Sequence, residues 1–327
     1  MPQVAITDYT FESLDIEKQI LEPFGLTVDG AQCRTSSQVR EFLQNADYVI
    51  TQFAPVDATV IDALRNAKVI VRYGIGVDNV DLEAARQKGV AVCNIPDYCV
   101  DEVADHTLAL ILASTRQVVA NANHVTSGDW GLATPLQSMT ALKELTVGVV
   151  GFGRIGREVA ARLLPFKGRV LVSDPAVDAD VIRAAGAEPV DLSQLLAASD
   201  VVTLHCPAIP TTQHLIREET IAQMKQGAIL VNVARGTVVH TPDLAAALES
   251  GRLAFVALDV LETEPPAADE PLRTNNKAIV HSHIASASAA AATKLRQGAA
   301  MIVAAAAQGK PLPNVVNGVT LQACASD

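Results

Sequence analysis

The stretch Gly151-Phe152-Gly153-Arg154-Ile155-Gly156 decides the fold of this chain. The apolar run 146–150 precedes it, and the segment 157–164, which reads as a helix, follows it. In a strand–loop–helix unit the first glycine permits a tight turn, the second lets the backbone approach a pyrophosphate, and the third lets the helix pack on the strand. The helix N-terminus then offers N–H groups to the phosphates. The stretch predicts a dinucleotide-binding loop; the alternative is a glycine turn in an ordinary strand–helix–strand unit.

A second signal lies one strand further along the chain. The apolar run 170–173 ends at Asp174, close to the spacing of about 20 residues at which a ribose-binding carboxylate is expected. The glycine loop and this acid together favour a nicotinamide or related dinucleotide as the ligand.

Composition restricts the class of protein. A length of 327 residues suits about two domains, and 49% apolar with 19% charged residues indicates a globular chain. The net charge of −11 argues against a nucleic-acid partner, which would require a basic face. The cysteines are odd in number and lack metal-ligand spacing, so we expect reduced thiols in a cytosolic protein and no metal site. They are Cys33, Cys93, Cys99, Cys206 and Cys324.

Neither export nor membrane insertion is expected. The N-terminus has no basic region followed by an apolar core, so no export signal is visible. The Ala-rich segment 288–307 contains Lys294, Arg296 and Gln297 and is therefore predicted to be a soluble helix. We expect a cytoplasmic protein without a membrane partner.

Short apolar strands alternate with amphipathic helices in two parts of the chain, which predicts an α/β protein with two parallel sheets. Strand candidates in the first part are 4–7, 26–28, 48–51, 69–71 and 90–93. After the run that precedes the glycine loop, those in the second part are 170–173, 201–204, 229–232, 255–258 and 279–280. A long apolar helix is predicted over 100–119, and the Ala-rich helix could dock back on the first part.

Three polar residues end apolar strands of the second part, where a doubly wound sheet faces its ligand. They are Arg235, Glu264 and His283. Hydride transfer from an alcohol requires a base for the hydroxyl proton and a cation for a carboxylate or carbonyl. Histidine titrates near neutral pH, a carboxylate behind it can fix its tautomer, and arginine grips a carboxylate with two hydrogen bonds. Each residue alone could be structural or surface-exposed, but their joint occurrence after a dinucleotide loop favours catalysis.

These features resemble those of the NAD-dependent D-2-hydroxyacid dehydrogenases, a family that includes phosphoglycerate, glyoxylate and formate enzymes and the C-terminal-binding-protein corepressors. The resemblance covers nearly the whole chain. Beyond the glycine loop, its motifs are Arg72-Tyr73-Gly74-Ile75-Gly76-Val77-Asp78, Val103-Ala104-Asp105-His106-Thr107, Asp174-Pro175, His205-Cys206-Pro207, Asn232-Val233-Ala234-Arg235-Gly236, Glu264-Pro265 and His283-Ile284-Ala285.

The resemblance implies two doubly wound domains with an interdomain cleft and a homodimer formed through the cofactor domain. Residues 100–286 would be the Rossmann NAD-binding domain, and 1–99 with 287–327 a discontinuous, flavodoxin-like substrate-binding domain.

By the same resemblance, His283 is the acid/base, Glu264 its orienting partner, and Arg235 the group that binds the substrate carboxylate and the reacting oxygen. The substrate-binding residues implied are Arg72, Ile75, Gly76 and Arg235. The cofactor-binding residues implied are Thr107, Gly151, Gly153, Arg154, Ile155, Gly156, Asp174, Cys206, Pro207, Thr212, Val233, Ala234 and Asp259. A carboxylate at Asp174 would repel a 2′-phosphate, which predicts NAD rather than NADP.

The chain departs from the family pattern in two places. Where the family usually has Thr-Pro before the catalytic histidine, this chain has His281-Ser282; the following Ile284-Ala285 favours His283 as the acid/base, and His281 is expected to be structural. Some members place a tryptophan soon after the histidine, whereas Ser286-Ala287-Ser288 here predicts a wider or more polar pocket.

Arg72 and the overall function each leave alternatives open. Arg72 either adds a second cation for a dicarboxylate, phosphorylated or sulfonated 2-keto acid or forms a salt bridge with the chain's own acids. The main reading is a dehydrogenase acting on small 2-hydroxy and 2-keto acids. The alternatives are an NAD(H)-sensing, corepressor-like binding protein and a phosphite- or formate-type dehydrogenase.

Overall fold

The chain folds into two compact units in a computed structural model that describes residues 3–320. The first unit comprises Met1–Tyr98 and Ser288–Asp327, and the second comprises Cys99–Ala287. Each unit contains one sheet in which all strands are parallel, which confirms the predicted α/β class. Cys324, one of the expected thiols, lies outside the described residues.

Five strands form the sheet of the first unit: β1 (Gln3–Ile6), β2 (Thr27–Gly30), β3 (Tyr48–Thr51), β4 (Val69–Arg72) and β5 (Ala91–Cys93). Its first helices are α1 (Asp15–Leu21), α2 (Ser36–Leu43), α3 (Ala58–Ala63) and α4 (Leu82–Gln87). The strand order β2-β1-β3-β4-β5 reverses between β1 and β3, as in flavodoxin-like sheets. Side chains alternate between the faces of a strand, so Val69 and Val71 pack in one core and Ile70 in the other.

Seven strands form the sheet of the second unit: β6 (Thr146–Val150), β7 (Arg169–Ser173), β8 (Glu188–Pro189), β9 (Val201–Leu204), β10 (Ala228–Asn232), β11 (Leu253–Leu258) and β12 (Ala278–Val280). Its helices are α5 (Val100–Thr115), α6 (Val118–Thr126), α7 (Arg154–Leu163), α8 (Ala179–Ala184), α9 (Leu192–Ala198), α10 (Glu218–Ile221) and α11 (Thr241–Glu249). The strand order is β12-β11-β10-β9-β6-β7-β8. It reverses between β6 and β9, and a doubly wound sheet binds its ligand beyond the strand ends at such a point.

The helix predicted over 100–119 is wrong as a single element, because α5 ends at Thr115 and α6 begins at Val118. Gln117 between them has a left-handed backbone, with φ of 52°. The hydroxyls of Ser114 and Thr115 donate to carbonyls four residues back, and such bonds bend a helix. The Gln117 side chain then donates to the Ser114 carbonyl and covers the helix end. An apolar pattern alone does not reveal this break.

The last described helix, α12 (Ala289–Ala307), belongs to the first unit and packs on α1 and β4. Arg296 joins Glu17 of α1 through two hydrogen bonds of 2.8 and 2.6 Å, and the Tyr73 hydroxyl donates to the same carboxylate at 2.7 Å. Glu17 is fully buried, so these bonds compensate the desolvation of its charge. Within residues 3–320, no helix is both long and apolar enough to cross a membrane.

Candidate active site

The glycine loop connects β6 to α7, and two of its glycines cannot be replaced without displacing backbone. Gly151 has φ of 93°, and a Cβ there would lie 2.8 Å from the backbone of His205 and Cys206. A Cβ on Gly156 would lie 2.1 Å from the Gly151 carbonyl oxygen. A Cβ on Gly153 would meet nothing within 4 Å. The loop is therefore closed towards the protein and open at its middle glycine, which fits a backbone that receives phosphates beside the N-terminus of α7.

Asp174, at the end of β7, holds this loop. One carboxylate oxygen accepts a hydrogen bond from the Phe152 N–H at 2.7 Å, and the other accepts from the Ala176 N–H at 2.8 Å. Asp174, the residue predicted to bind the ribose, thus lies against the glycine loop, and the two backbone amides fix the orientation of its carboxylate.

The segment after β9 lies next to the glycine loop, because β9 and β6 are the neighbouring strands at which the strand order reverses. Burial of its ring lowers the pKa of His205 to about 3, and one ring nitrogen lies 2.9 Å from the Thr203 hydroxyl. Burial raises the pKa of the Cys206 thiol to about 11, so this cysteine is not a nucleophile at neutral pH. Beyond Pro207 the chain turns, and the Thr212 hydroxyl closes the turn by donating to the Pro207 carbonyl at 2.6 Å.

Arg235 lies in a tight turn after β10 that Asn232 builds. The Asn232 side chain accepts from the Ala234 N–H at 3.0 Å and donates to the Arg235 carbonyl at 2.9 Å. Gly236 follows, and a Cβ there would lie 1.9 Å from the Leu261 carbonyl oxygen. The turn that carries Arg235 therefore packs directly on the segment that leads to Glu264.

His283 and Glu264 form a hydrogen-bonded pair. His283 Nδ1 lies 2.8 Å from Glu264 Oε2, and Glu264 Oε1 accepts from the Leu261 N–H at 2.9 Å. Burial acts to raise the pKa of Glu264, but the hydrogen bond from His283 and the positive charges of His283 and Arg235 outweigh it, and the pKa falls below its usual value. The structure thus brings together the three residues that the sequence singled out.

Asp259, at the end of β11, anchors the loop that carries His283. Its backbone carbonyl accepts from the His283 N–H at 2.7 Å, and its two carboxylate oxygens accept from the N–H groups of Ile284 and Ala285 at 2.8 and 2.9 Å. These bonds hold His283 in a left-handed conformation, with φ of 59°. A non-glycine residue with such a φ depends on its surroundings to retain it.

His281 lies beside this loop and contacts α5. Its Nδ1 is 2.9 Å from His106 Nε2, which in turn is 3.9 Å from Asp259 Oδ1. Burial lowers the pKa of His106 despite the nearby carboxylate. Thr107, expected to line the cofactor, is fully buried, and its hydroxyl donates to the Val103 carbonyl of its own helix.

The residues predicted to bind substrate in the first unit follow β4. Arg72 is 8% exposed, and its guanidinium carbon lies 5.6 Å from the centroid of the Phe53 ring. Gly74, with φ of 148°, leaves space for this guanidinium, since a Cβ there would be 1.5 Å from Arg72 Nη1. The Ile75 carbonyl accepts from the Asn94 side chain at 2.6 Å.

Sequence reasoning did not single out four residues of this unit: Asn232, His106, His214 and Glu262. Asn232 shapes the Arg235 turn, and the available signal was a polar residue directly after the apolar run 229–231. His106 stands in the motif 103–107, but its contact with His281, 175 residues away, was not predicted. The pair His214–Glu262 was not predicted either, because its members lie 48 residues apart.

Comparisons with known proteins agree on one family. Residues 108–285 match the family model described as D-isomer specific 2-hydroxyacid dehydrogenase, NAD binding domain. The chain is 37% identical to D-3-phosphoglycerate dehydrogenase of Archaeoglobus fulgidus over 85% of its own length, but it spans only 53% of that relative. It is also 37% identical to glyoxylate reductase of Korarchaeum cryptofilum, over 80% of each chain.

A solved structure has the same fold over almost the whole chain. D-lactate dehydrogenase of Aquifex aeolicus, crystallised with NAD and lactic acid, superposes with a TM-score of 0.85 at 29% identity. The match covers 94% of this chain and 96% of that one.

Proposed function

This chain belongs to the D-isomer specific 2-hydroxyacid dehydrogenase family, and we propose that it transfers a hydride between NAD(H) and a small D-2-hydroxy acid or the corresponding 2-keto acid. The observation that carries the proposal is the pair His283–Glu264, with Arg235 close enough to lower the pKa of Glu264. Since the curated relatives are named dehydrogenases and reductases, this reading is favoured over the corepressor-like and phosphite- or formate-type alternatives.

Proton transfer is assigned to His283. Because its Nδ1 faces Glu264, exchange with substrate would use Nε2. In oxidation this nitrogen accepts the hydroxyl proton as the hydride leaves, and in reduction the imidazolium returns a proton to the carbonyl oxygen. The nicotinamide, when bound, supplies the hydride acceptor or donor. Arg235 stabilises negative charge on the reacting oxygen, an effect of about 3–4 kcal/mol for a well-placed donor in other enzymes.

Residues 100–286 are proposed as the NAD-binding domain, with phosphates at Gly151, Gly153, Arg154, Ile155 and Gly156. The geometry of the glycine loop supports this assignment, and the match to an NAD-binding family model covers most of the range. Asp174 is proposed to select NAD, because a 2′-phosphate would meet a carboxylate. The remaining contacts are proposed for Thr107, Cys206, Pro207, Thr212, Val233, Ala234 and Asp259.

Residues 1–99 and 287–327 are proposed as the substrate-binding domain. Backbone N–H groups of Ile75 and Gly76 are proposed to bind the substrate carboxylate. Arg72 is proposed to favour a substrate with a second anionic group, since its charge is held at the end of β4 against Phe53.

A homodimer formed through the second unit is part of the proposal. Large apolar side chains are exposed along α6 and the segment after it, with Trp130 91% and Leu136 68% exposed. Such a concentration of exposed large apolar side chains in one segment supports a protein contact there. The cytoplasm is proposed as the location, because the four described cysteines are buried thiols.

The test is NADH oxidation by the purified protein with glyoxylate, hydroxypyruvate, pyruvate, 2-ketoglutarate, oxaloacetate and phosphorylated or sulfonated analogues, with NADPH in parallel. We expect turnover of at least one acid with NADH and weak use of NADPH. Tight NADH binding without turnover of any acid would contradict the proposal. Arg72→Ala with an unchanged ranking of substrates would contradict the role of Arg72.

A further inference from the structure

Three potential metal ligands converge beside the His283 loop. His106 lies on α5, Asp259 follows β11, and His281 follows β12, so three separate elements of the second unit contribute. One ligand atom from each residue lies within 4.8 Å of the other two. The two imidazole nitrogens are 2.9 Å apart, and His106 Nε2 is 3.9 Å from Asp259 Oδ1.

The donor set has a definite chemistry. Two imidazole nitrogens and one carboxylate oxygen suit Zn²⁺ and the other first-row divalent transition metals, whereas Mg²⁺ and Ca²⁺ prefer oxygen ligands throughout. Tetrahedral ligands at about 2.0–2.1 Å from a zinc ion lie about 3.3–3.4 Å apart. The two nitrogens, now 2.9 Å apart, would therefore have to separate by about 0.4–0.5 Å to admit an ion between them. The carboxylate oxygen, 3.9 Å from His106 Nε2, would have to approach by a similar distance.

The ligands are also held in place. Asp259 is 1% exposed, and the amides of Ile284 and Ala285 fix its carboxylate, which is the outer support that metal ligands commonly have. His106 and His281 remain partly exposed, so an ion can reach them from solvent.

We propose that His106, Asp259 and His281 form a binding site for a divalent transition-metal ion, with water completing the coordination. No metal site was expected from the sequence, because the three ligands lie far apart along it and form no spacing motif. Asp259 is also a proposed cofactor contact, but ion binding is measured without substrate or cofactor, so failure of this proposal and failure of the proposed function are distinguishable.

The test is equilibrium dialysis of the tag-free full chain against Zn²⁺, with bound metal quantified by mass spectrometry. Visible ligand-field bands of bound Co²⁺ report the donor set. We expect one saturable ion per chain in the parent. His281→Thr and His106→Gln should each weaken zinc binding by more than about 10-fold. Mutation of a residue that only supports a metal ligand already costs about that much, and these residues are proposed as the ligands themselves. Thermal unfolding monitors the fold of each variant, and His281→Thr places a small polar side chain at a partly exposed position.

The matched control is His240→Asn. His240 lies 2.8 Å from Asp243, and its ring centroid is 4.8 Å from that of His214, which makes this group the other histidine-rich place described in the second unit. This variant should bind zinc as the parent does. No stoichiometric binding, unchanged binding in both His281→Thr and His106→Gln, or loss of binding in His240→Asn alone would overturn the proposal.

Discussion

Two histidine–glutamate pairs lie in the second unit, and their contacts look alike. His283 is 2.8 Å from Glu264, and His214 is 2.5 Å from Glu262. Each histidine has a left-handed backbone, with φ of 59° and 48°. In each glutamate, burial acts to raise the pKa, and hydrogen bonds with the histidine and a backbone amide contribute to lowering it below the usual value.

The pairs differ in the nitrogen they use and in their neighbours. His283 uses Nδ1, so the nitrogen at the tip of its ring points away from Glu264, whereas His214 places its tip nitrogen, Nε2, on Glu262. The charge of Arg235 acts on Glu264, while Glu262 accepts from the Thr241 N–H. A short histidine–carboxylate contact therefore does not by itself identify a catalytic base, and the proposal of His283 for that role depends on its outward Nε2 and on the nearby charge of Arg235.

The largest expected difference is between His283→Ala and His214→Ala. We expect the first to lower kcat by at least ~100-fold, the scale of lost acid–base catalysis, and the second to change it by less than about 10-fold. Steady-state NADH oxidation measures both, and NADH binding by fluorescence should persist in each variant. Comparable losses in the two variants would remove the distinction between the pairs.

Glu264→Gln and Glu262→Gln test the partners in the same way. An amide oxygen can still accept from Nδ1 but carries no charge to stabilise an imidazolium, so Glu264→Gln should lower kcat by roughly 10-fold or more. Glu262→Gln should leave kcat near that of the parent. The result that refutes the assignment is a larger kcat loss in Glu262→Gln.

Gly236→Ala should disturb both pairs at once. Its Cβ would lie 1.9 Å from the Leu261 carbonyl oxygen and 2.4 Å from the Glu262 nitrogen, so the backbone that carries both glutamates must move. We expect a loss of about 1–3 kcal/mol in the free energy of unfolding, as for other overpacked sites, together with lower kcat. Urea denaturation measures the stability, and a variant as stable as the parent would refute the close packing.

The smallest expected effect is on the pH dependence of stability, and it should be similar for Glu264 and Glu262. Both folded pKa values lie below the value of about 4.3 for an unfolded glutamate. The stabilisation is therefore present above about pH 4 and is lost as the pH falls through the folded pKa. Each glutamine variant should lose less stability than the parent on acidification, by a similar amount, in urea denaturation at several pH values. A parent-like slope in either variant would contradict the lowered pKa.

Much of the fold could be predicted because strands that are buried on both faces appear as continuous apolar runs. The runs 201–204 and 229–232 correspond to β9 and β10 for this reason. The strand β8 has only two residues, Glu188 and Pro189, at the sheet edge, and neither is part of an apolar run. The break at Gln117 depends on side-chain hydrogen bonds to the backbone, which periodicity does not encode.

The residues of the candidate site also fall into a group that the sequence predicts and a group of contacts that it does not. Arg235, Glu264 and His283 could be selected because each follows an apolar strand, Glu264 at a distance of six residues from the end of β11, and each has a recognisable role in hydride chemistry. The contacts of His214 with Glu262 and of His106 with His281 join residues 48 and 175 positions apart. Only the folded sheet brings such residues together.

The return of α12 to the first unit has a consequence for the order of folding during synthesis. One face of the first sheet is covered by α1 and α12, and Arg296 supplies the partner for the buried charge of Glu17. The ribosome makes α12 only after it has made every residue of the second unit. Until then, the first 98 residues lack the helix that covers part of one apolar face of their sheet. The second unit, in contrast, needs no later segment of the chain to complete its core. The unit whose synthesis begins first is therefore the unit whose core is completed last.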